Sequence, residues 1–412
     1  MANVHPLRAL ALAVFRAPNL LRVRPRAAAF LARYLVEFPI LRVGGSTILH
    51  SHLPPLDSPA YARFVRMHLV ERVAAPSHAQ VAVTSACPQR CDICYNRDRT
   101  GRPLDAGEVG RAIEELISAG AVWMGLTGGE PLLLRELPEL VAIGRGRAAM
   151  KLFTTGIGAT PELASALAAA GLFSVSVSLD AAGEEANDRG RNYPGAWRAA
   201  LRAVEIFLAV PGMHVGISAV LSRSAIRDSQ EVDRLLARAG SLGVHELWLS
   251  EAKPAVASLW HRDLVLTEDE RKKVARYQDE WNRRARRAGS GVVLNYLGHF
   301  EGAEHFGCNA GRKMIYVDAF GEVSPCVFAP MSFGNVRDRS LAEIIATLQG
   351  AFPTEDRCFV NRNWPSMHRE SRGVLPMGRE KSLALIDGVA FRPMSEFNRR
   401  LHGGARGSRG AG

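Results

Sequence analysis

Three of the chain's six cysteines, Cys87, Cys91 and Cys94, fall within eight positions of the stretch "SACPQRCDICYN" (85–96), spaced C-x3-C-x2-C. A structural zinc site usually takes four ligands in paired C-x2-C knuckles, and no fourth Cys or His stands nearby in sequence. Three thiolates on one short loop can instead hold three irons of a cubane 4Fe-4S cluster and leave the fourth iron open to a substrate or cofactor. Cys308, Cys326 and Cys358 form a second set. In a large chain with no convincing secretion signal, metal or redox chemistry accounts for six cysteines better than disulfides do.

The elements that must position these residues are legible from about residue 78 onward. Short β-rich apolar runs at 80–86, 121–127, 151–156, 173–180, 214–221 and 245–251 alternate with helical stretches near 105–119, 135–147, 161–170, 195–209 and 229–240. Six βα units in a row predict a parallel sheet with helices outside it, with the active site at the C-terminal ends of the strands. The first cysteine loop follows the first strand and so lies at that end. A charged helix at 267–288 closes the region. Beyond it, "GVVLNYL" (291–297) and a hairpin at 314–328 turning at Phe320-Gly321 predict a smaller α+β unit. Ser340 and Glu343 predict a capping box for a helix ending at Gly350.

On these residues the chain resembles the radical S-adenosylmethionine (SAM) enzymes, whose signature is C-x3-C-x-aromatic-C; here Ile93 replaces the aromatic and Tyr95 follows the last cysteine. "LTGGEP" (126–131) resembles the family's GGE motif, which implies that Gly128, Gly129 and Glu130 meet the amino group of SAM. The glycines would let backbone approach a ligand. "FTTGIG" (153–158) resembles the third-strand TNG element, with Thr155 in place of Asn. "SVSLD" (176–180) and "NDRGRNYPGAW" (187–197) resemble SLDG…HDxxRGxxG, which implies that Ser178 and Arg191 contact the ribose and carboxylate, with Arg189 a competitor. The resemblance implies a 4Fe-4S cluster that cleaves SAM reductively to a 5'-deoxyadenosyl radical, which abstracts hydrogen from an unidentified peptide, small molecule or lipid-like substrate. It also implies a reductant such as flavodoxin or ferredoxin. "CNAGRKMIYVDAFGEVSPC" fits C-x12-G-x4-C and resembles the start of SPASM and Twitch extensions, so Cys308, Cys326 and Cys358 imply a second, auxiliary 4Fe-4S cluster. His305, Asp356 and His368 are candidates for its fourth position. Merely buried thiols or a zinc site are the alternatives for this set.

The expected fold is therefore α/β: a partial (β/α)6 TIM-like barrel over 76–290, preceded by a helical segment (1–75) and followed by a small SPASM/Twitch-like α+β domain (291–360). A C-terminal extension (361–412) ends in a basic tail expected to be disordered from 402. Rival functions are a methyl- or group-transferring variant, for which no cobalamin domain is evident, and a non-catalytic zinc- or iron-sulfur-binding scaffold. Net charge is +11, carried overwhelmingly by arginine. Genome bias explains this, as would an anionic partner; nucleic acid is not expected. In "RAAAFLARYLVEF" (26–38), Phe30, Leu31, Tyr34, Leu35 and Phe38 share a helical face, which packs on the next domain or rests on a membrane. No peptide-docking winged helix is evident at the N-terminus. No apolar run approaches the ~20 residues of a transmembrane helix. A cytoplasmic protein, peripheral at most to the inner face of the membrane, is expected.

Overall fold

A computed structural model describes residues 2–260, 262–289 and 291–403. Strand β1 (Ala2–Asn3) pairs antiparallel with β2 (Leu41–Val43), which forms a hairpin with β3 (Ser46–Ile48). Seven parallel strands follow: β4 (His78–Thr84), β5 (Trp123–Gly128), β6 (Ala149–Thr154), β7 (Leu172–Ser178), β8 (His214–Leu221), β9 (Glu246–Glu251) and β10 (Val293–Tyr296). They lie side by side in sequence order, as right-handed βα crossovers require. The expected helices stand between them at Ala106–Ala119, Leu137–Ala142, Pro161–Ala170, Ala196–Leu208 and Ser229–Leu242. The second is shorter than its 135–147 expectation, because Gly144 and Gly146 follow it and Gly146 adopts φ 73°. A further helix, Glu184–Arg191, was not foreseen.

The smaller unit is not a separate sheet. Val293–Tyr296, expected within it, pairs parallel with β9, so the sheet gains a seventh βα strand. The hairpin does form, from β11 (Met314–Val317) and β12 (Val323–Ser324), and Gly321 turns it with φ 92°. Its first strand pairs parallel with β4 through Met314↔His78 to Val317↔Val81. The result is one nine-stranded sheet whose ends, β10 and β12, do not meet. It is nevertheless curled: Lys151 of β6 and Glu246 of β9, three strands apart, approach to 3.5 Å inside it. Ser340 accepts from Glu343 N and caps helix Leu341–Ala351, which runs one residue past Gly350.

Residues 50–52 plug the N-terminal end of the barrel. Trp123 Nε1 donates to Ser51 O at 2.8 Å, the His78 ring is 2.8 Å from His52 O, and the Ser51 hydroxyl sits between Lys151 and Glu246. Burial pushes the Glu246 carboxyl up, but Lys151, His214 and Ser51 outweigh it and hold the group down to about 2.

The first 75 residues are helical only in part: helices Pro6–Arg16 and Pro25–Glu37 flank a short turn at Pro18–Arg22 and precede the β2–β3 hairpin. Together with helix Glu396–His402 they build a second apolar core, in which Phe30 packs on Phe306 and Phe397. The apolar face foreseen over 26–38 is thus turned inward: Phe30, Tyr34 and Phe38 are buried. The C-terminal extension is largely helical, over Phe359–Ser371, Arg379–Asp387 and Glu396–His402. Residues 404–412 of the expected disordered tail lie outside the described residues.

Candidate active site between two cysteine triads

The first cysteine loop leaves β4 at Thr84 and is held on three sides. Gly129 N donates to Thr84 O and Glu130 N to Ala86 O, both at 2.7 Å. Arg90 N and Asp92 N donate to the carbonyls of Arg191 and Gly190, which ties the loop to the end of helix Glu184–Arg191. Asn96 donates to Gly128 O at 3.0 Å and accepts from the Tyr316 hydroxyl of β11 at 2.6 Å. The three thiols therefore sit on a braced loop at the C-terminal end of the sheet.

The GGE segment does this bracing in a way the sequence did not disclose. A Cβ on Gly129 would overlap Ala86 O, and one on Gly128 would overlap Thr84 O. The glycines are thus required for contact with the cysteine loop's own backbone. Both also line the central cavity. The Glu130 carboxylate does not face a ligand: it is fully buried and accepts from Leu132 N, Thr154 Oγ1, Thr155 N and Thr155 Oγ1 at 2.5–2.9 Å. Four donors of the chain already occupy this carboxylate, so within the segment expected to meet the amino group of SAM it is the glycine backbone that faces the cavity. Thr155, read as a substitute for Asn, supplies two of the four donors.

Ser178 ends β7 and lines the cavity. Arg191 also lines it, but its fork is not free for a bidentate carboxylate. One nitrogen pairs with Asp180 at 2.6 Å, another lies 3.9 Å from Cys91 Sγ, and Nε is buried without a partner. Arg189 instead pairs with Glu185 at the surface. Burial pushes the Cys87 thiol up to about 11 and raises Cys91 and Cys94 as well, while Arg191 opposes the rise at the latter two. A cation beside a loop of three soft donors, with an orphaned guanidinium nitrogen, fits an anionic iron-sulfur cluster.

Backbone pairing brings the second set of cysteines to one wall. Cys308 and Glu355 exchange hydrogen bonds, which brings Cys358 across Cys308, and Phe359 N points to Cys308 Sγ at 3.5 Å. Gly311 N donates to Pro325 O, which carries Cys326 alongside. All three thiols line the same cavity as the first triad, and burial raises each. None of the three fourth-ligand candidates lies on that wall. His305 is held 2.5 Å from the Tyr34 hydroxyl, Asp356 is paired with Arg392, and His368 packs on Trp260. The acidic group that acts on all three thiols is Glu301, which lines the cavity and pairs with Lys253 at 2.6 Å. Sequence reasoning missed both. A usable signal was present: lysine occurs at six positions in this arginine-rich chain, and Lys151 and Lys253 are fully buried. A lysine is a compact, strongly hydrated charge, so its burial in an arginine-rich chain marks a site with a specific carboxylate partner.

One buried ion pair joins the two halves. Arg99, just past the first triad, pairs with Asp318 at 2.9 Å and also donates to Ser324 Oγ and Ala329 O. Both side chains are nearly inaccessible, so Arg99→Met strands a buried carboxylate. It is expected to cost about 3–5 kcal/mol in urea unfolding, whereas a loss under 1 kcal/mol would show that Asp318 is solvated.

Comparison with known proteins agrees with this geometry. The model of the Radical SAM superfamily matches residues 81–221, and that of the SPASM iron-sulfur cluster-binding domain matches 308–351. An AdoMet-dependent heme synthase of Methanosarcina barkeri is 26% identical over 293 residues, covering 67% of this chain and 84% of its own. A PqqA peptide cyclase of Methylocella silvestris is 26% identical over 288 residues, covering 68% and 76%. In fold, the chain resembles Streptococcus suis SuiB bound to S-adenosylmethionine, with TM-score 0.56, 12% identity, and coverage of 73% of this chain and 78% of that one.

Proposed function

Given that the chain belongs to the radical SAM superfamily and carries a SPASM iron-sulfur-binding domain, we propose that it removes a hydrogen atom from an organic substrate held between two clusters in one cavity. A 4Fe-4S cluster held by the first triad, with SAM bound beside it, would supply the one-electron reductive cleavage of the sulfonium on which hydrogen abstraction depends. Cys87, Cys91 and Cys94 hold the cluster. The Gly128–Gly129 backbone and Ser178 orient SAM on the cavity wall, and Glu130 keeps that backbone in place from behind. Arg191 balances charge beside Cys91 and keeps its Nε for the ligand. Cys308, Cys326 and Cys358 hold the auxiliary cluster, with Lys253 and Glu301 setting the charge around it. The plug at residues 50–52 ties together the N-terminal ends of β4 and β5 and narrows the access of water to the radical.

The observation that carries this reading is that both triads line one cavity of about 960 Å³. A small electron carrier, flavodoxin or ferredoxin, is the proposed reductant. No helix among the described residues is long and apolar enough to cross a membrane. Our reading of the sequence places the enzyme in the cytoplasm, peripheral at most to the inner face of the membrane. Relatives named for a peptide and for heme leave the substrate class open. The test is anaerobic reconstitution followed by reduction with dithionite in the presence of SAM. Formation of 5'-deoxyadenosine is expected, and its absence from protein with a full iron complement would sink the proposal.

A further inference from the structure

The cavity does not stop at the clusters. Its lining also includes Phe300, just after β10, Met314 of β11, and Leu10, Leu20, Leu31 and Leu53 of the N-terminal segment, beside the ends of the sheet that do not meet. Its size lies at the upper end of the ~300–1,000 Å³ usual for ligand pockets. The histidines on the inner stretch are largely occupied within the chain. His68 bonds Gly120 O, and His78 lies between Ser77 and the His52 carbonyl. Burial holds His50 and His78 down to about 4, so both rings are neutral. A peptide laid along this wall would leave its amides without partners, at a cost of about 1–3 kcal/mol for each. A hydrocarbon chain has no such groups. His52 Nδ1 is buried there without a partner.

The helices that wall the outer end also carry an exposed patch. Leu7, Phe15 and Leu21 are 70%, 77% and 76% exposed, while Leu10 and Leu20 beside them line the cavity. Residues 2–37 hold six arginines (8, 16, 22, 24, 26 and 33) and one acid, Glu37. Exposed apolar side chains on a segment rich in arginine suit the surface of an anionic bilayer.

We infer that the substrate is a membrane lipid with a long apolar chain, acyl or isoprenoid, drawn from the bilayer through the N-terminal helices and the gap in the barrel. This rests on the radical SAM reading, and the experiment separates the two. Reconstituted holoenzyme is given cis-parinaric acid, a fluorescent long-chain fatty acid, and separately a diazirine-bearing palmitate for photocrosslinking. It is also floated with vesicles of phosphatidylglycerol or of phosphatidylcholine alone. Saturable probe binding is expected, weakened at least about tenfold by Ala28→Trp or Leu31→Trp, with crosslinks on residues 28–35, 49–56 and 300. Flotation is expected with phosphatidylglycerol, falling with salt and with the Phe15→Asp/Leu21→Asp pair. Crosslinking needs no variant, so a misfolded tryptophan variant leaves the test intact. Holoenzyme that makes 5'-deoxyadenosine but neither binds the probe nor crosslinks along that wall overturns the inference while the radical reading stands. Failure to cleave SAM strikes the radical reading instead. Flotation indifferent to lipid charge overturns the membrane route.

Discussion

Replacing Cys87, Cys91 and Cys94 together by alanine is expected to abolish 5'-deoxyadenosine formation and to lower bound iron from about eight to about four per chain. The two losses differ in kind. The first follows because no other thiol reaches the loop braced by Thr84, Asn96 and Arg191. The second is partial because the other triad is built by different pairings, Cys308 with Glu355 and Gly311 with Pro325, none of which involves residues 85–96. Iron analysis and Mössbauer spectra of the anaerobically reconstituted triple variant check both points. Iron near zero would mean that Cys308, Cys326 and Cys358 are only buried thiols.

Glu130→Ala is expected to produce almost the same loss of SAM cleavage from a residue that touches no cofactor. Removing the carboxylate leaves four buried donors, from Leu132, Thr154 and Thr155, without an acceptor. At about 1–3 kcal/mol for each unsatisfied group, and allowing for relaxation, the cost is on the order of 4 kcal/mol. The GGE turn then loosens from Thr84 and Ala86, and the cysteine loop with it. Iron at the first triad should fall while about four irons stay at the second, and thermal unfolding should move to lower temperature. Glu130→Gln keeps the shape but aims an NH2 group at N–H and O–H donors, so it should rescue little. A variant with full iron and unchanged melting would refute the clamp.

Strand positions and both triads were legible because they rest on local signals: β-rich runs bounded by Gly and Pro, and cysteine spacing. What escaped was pairing between distant segments. "GVVLNYL" reads as a strand wherever it goes, and nothing in its residues says that β9 is its partner. Glycines at 128 and 129 announce a close approach, but not whether a ligand or the Thr84–Ala86 backbone makes it. The face shared by Phe30, Tyr34 and Phe38 was visible as apolar, yet periodicity cannot distinguish Phe397 from a lipid as its neighbour. The candidates His305, Asp356 and His368 were chosen by proximity in sequence. Glu301, only seven positions before Cys308, was passed over because nothing in the sequence shows that it faces the thiols while His305 turns to Tyr34.

The parallel pairing of β11 with β4 bears on how far the two halves can be separated. Strand β4 carries the SAM-cleaving loop, and its second edge is completed only by residues 314–317, more than two hundred positions later. A chain stopped at residue 290 would present the backbone of His78–Val81 as an open edge, with apolar Ala79 and Val81 along it, a template for self-association. The radical-generating half is therefore not a portable module. Any grafting or truncation that keeps it soluble must bring the hairpin along.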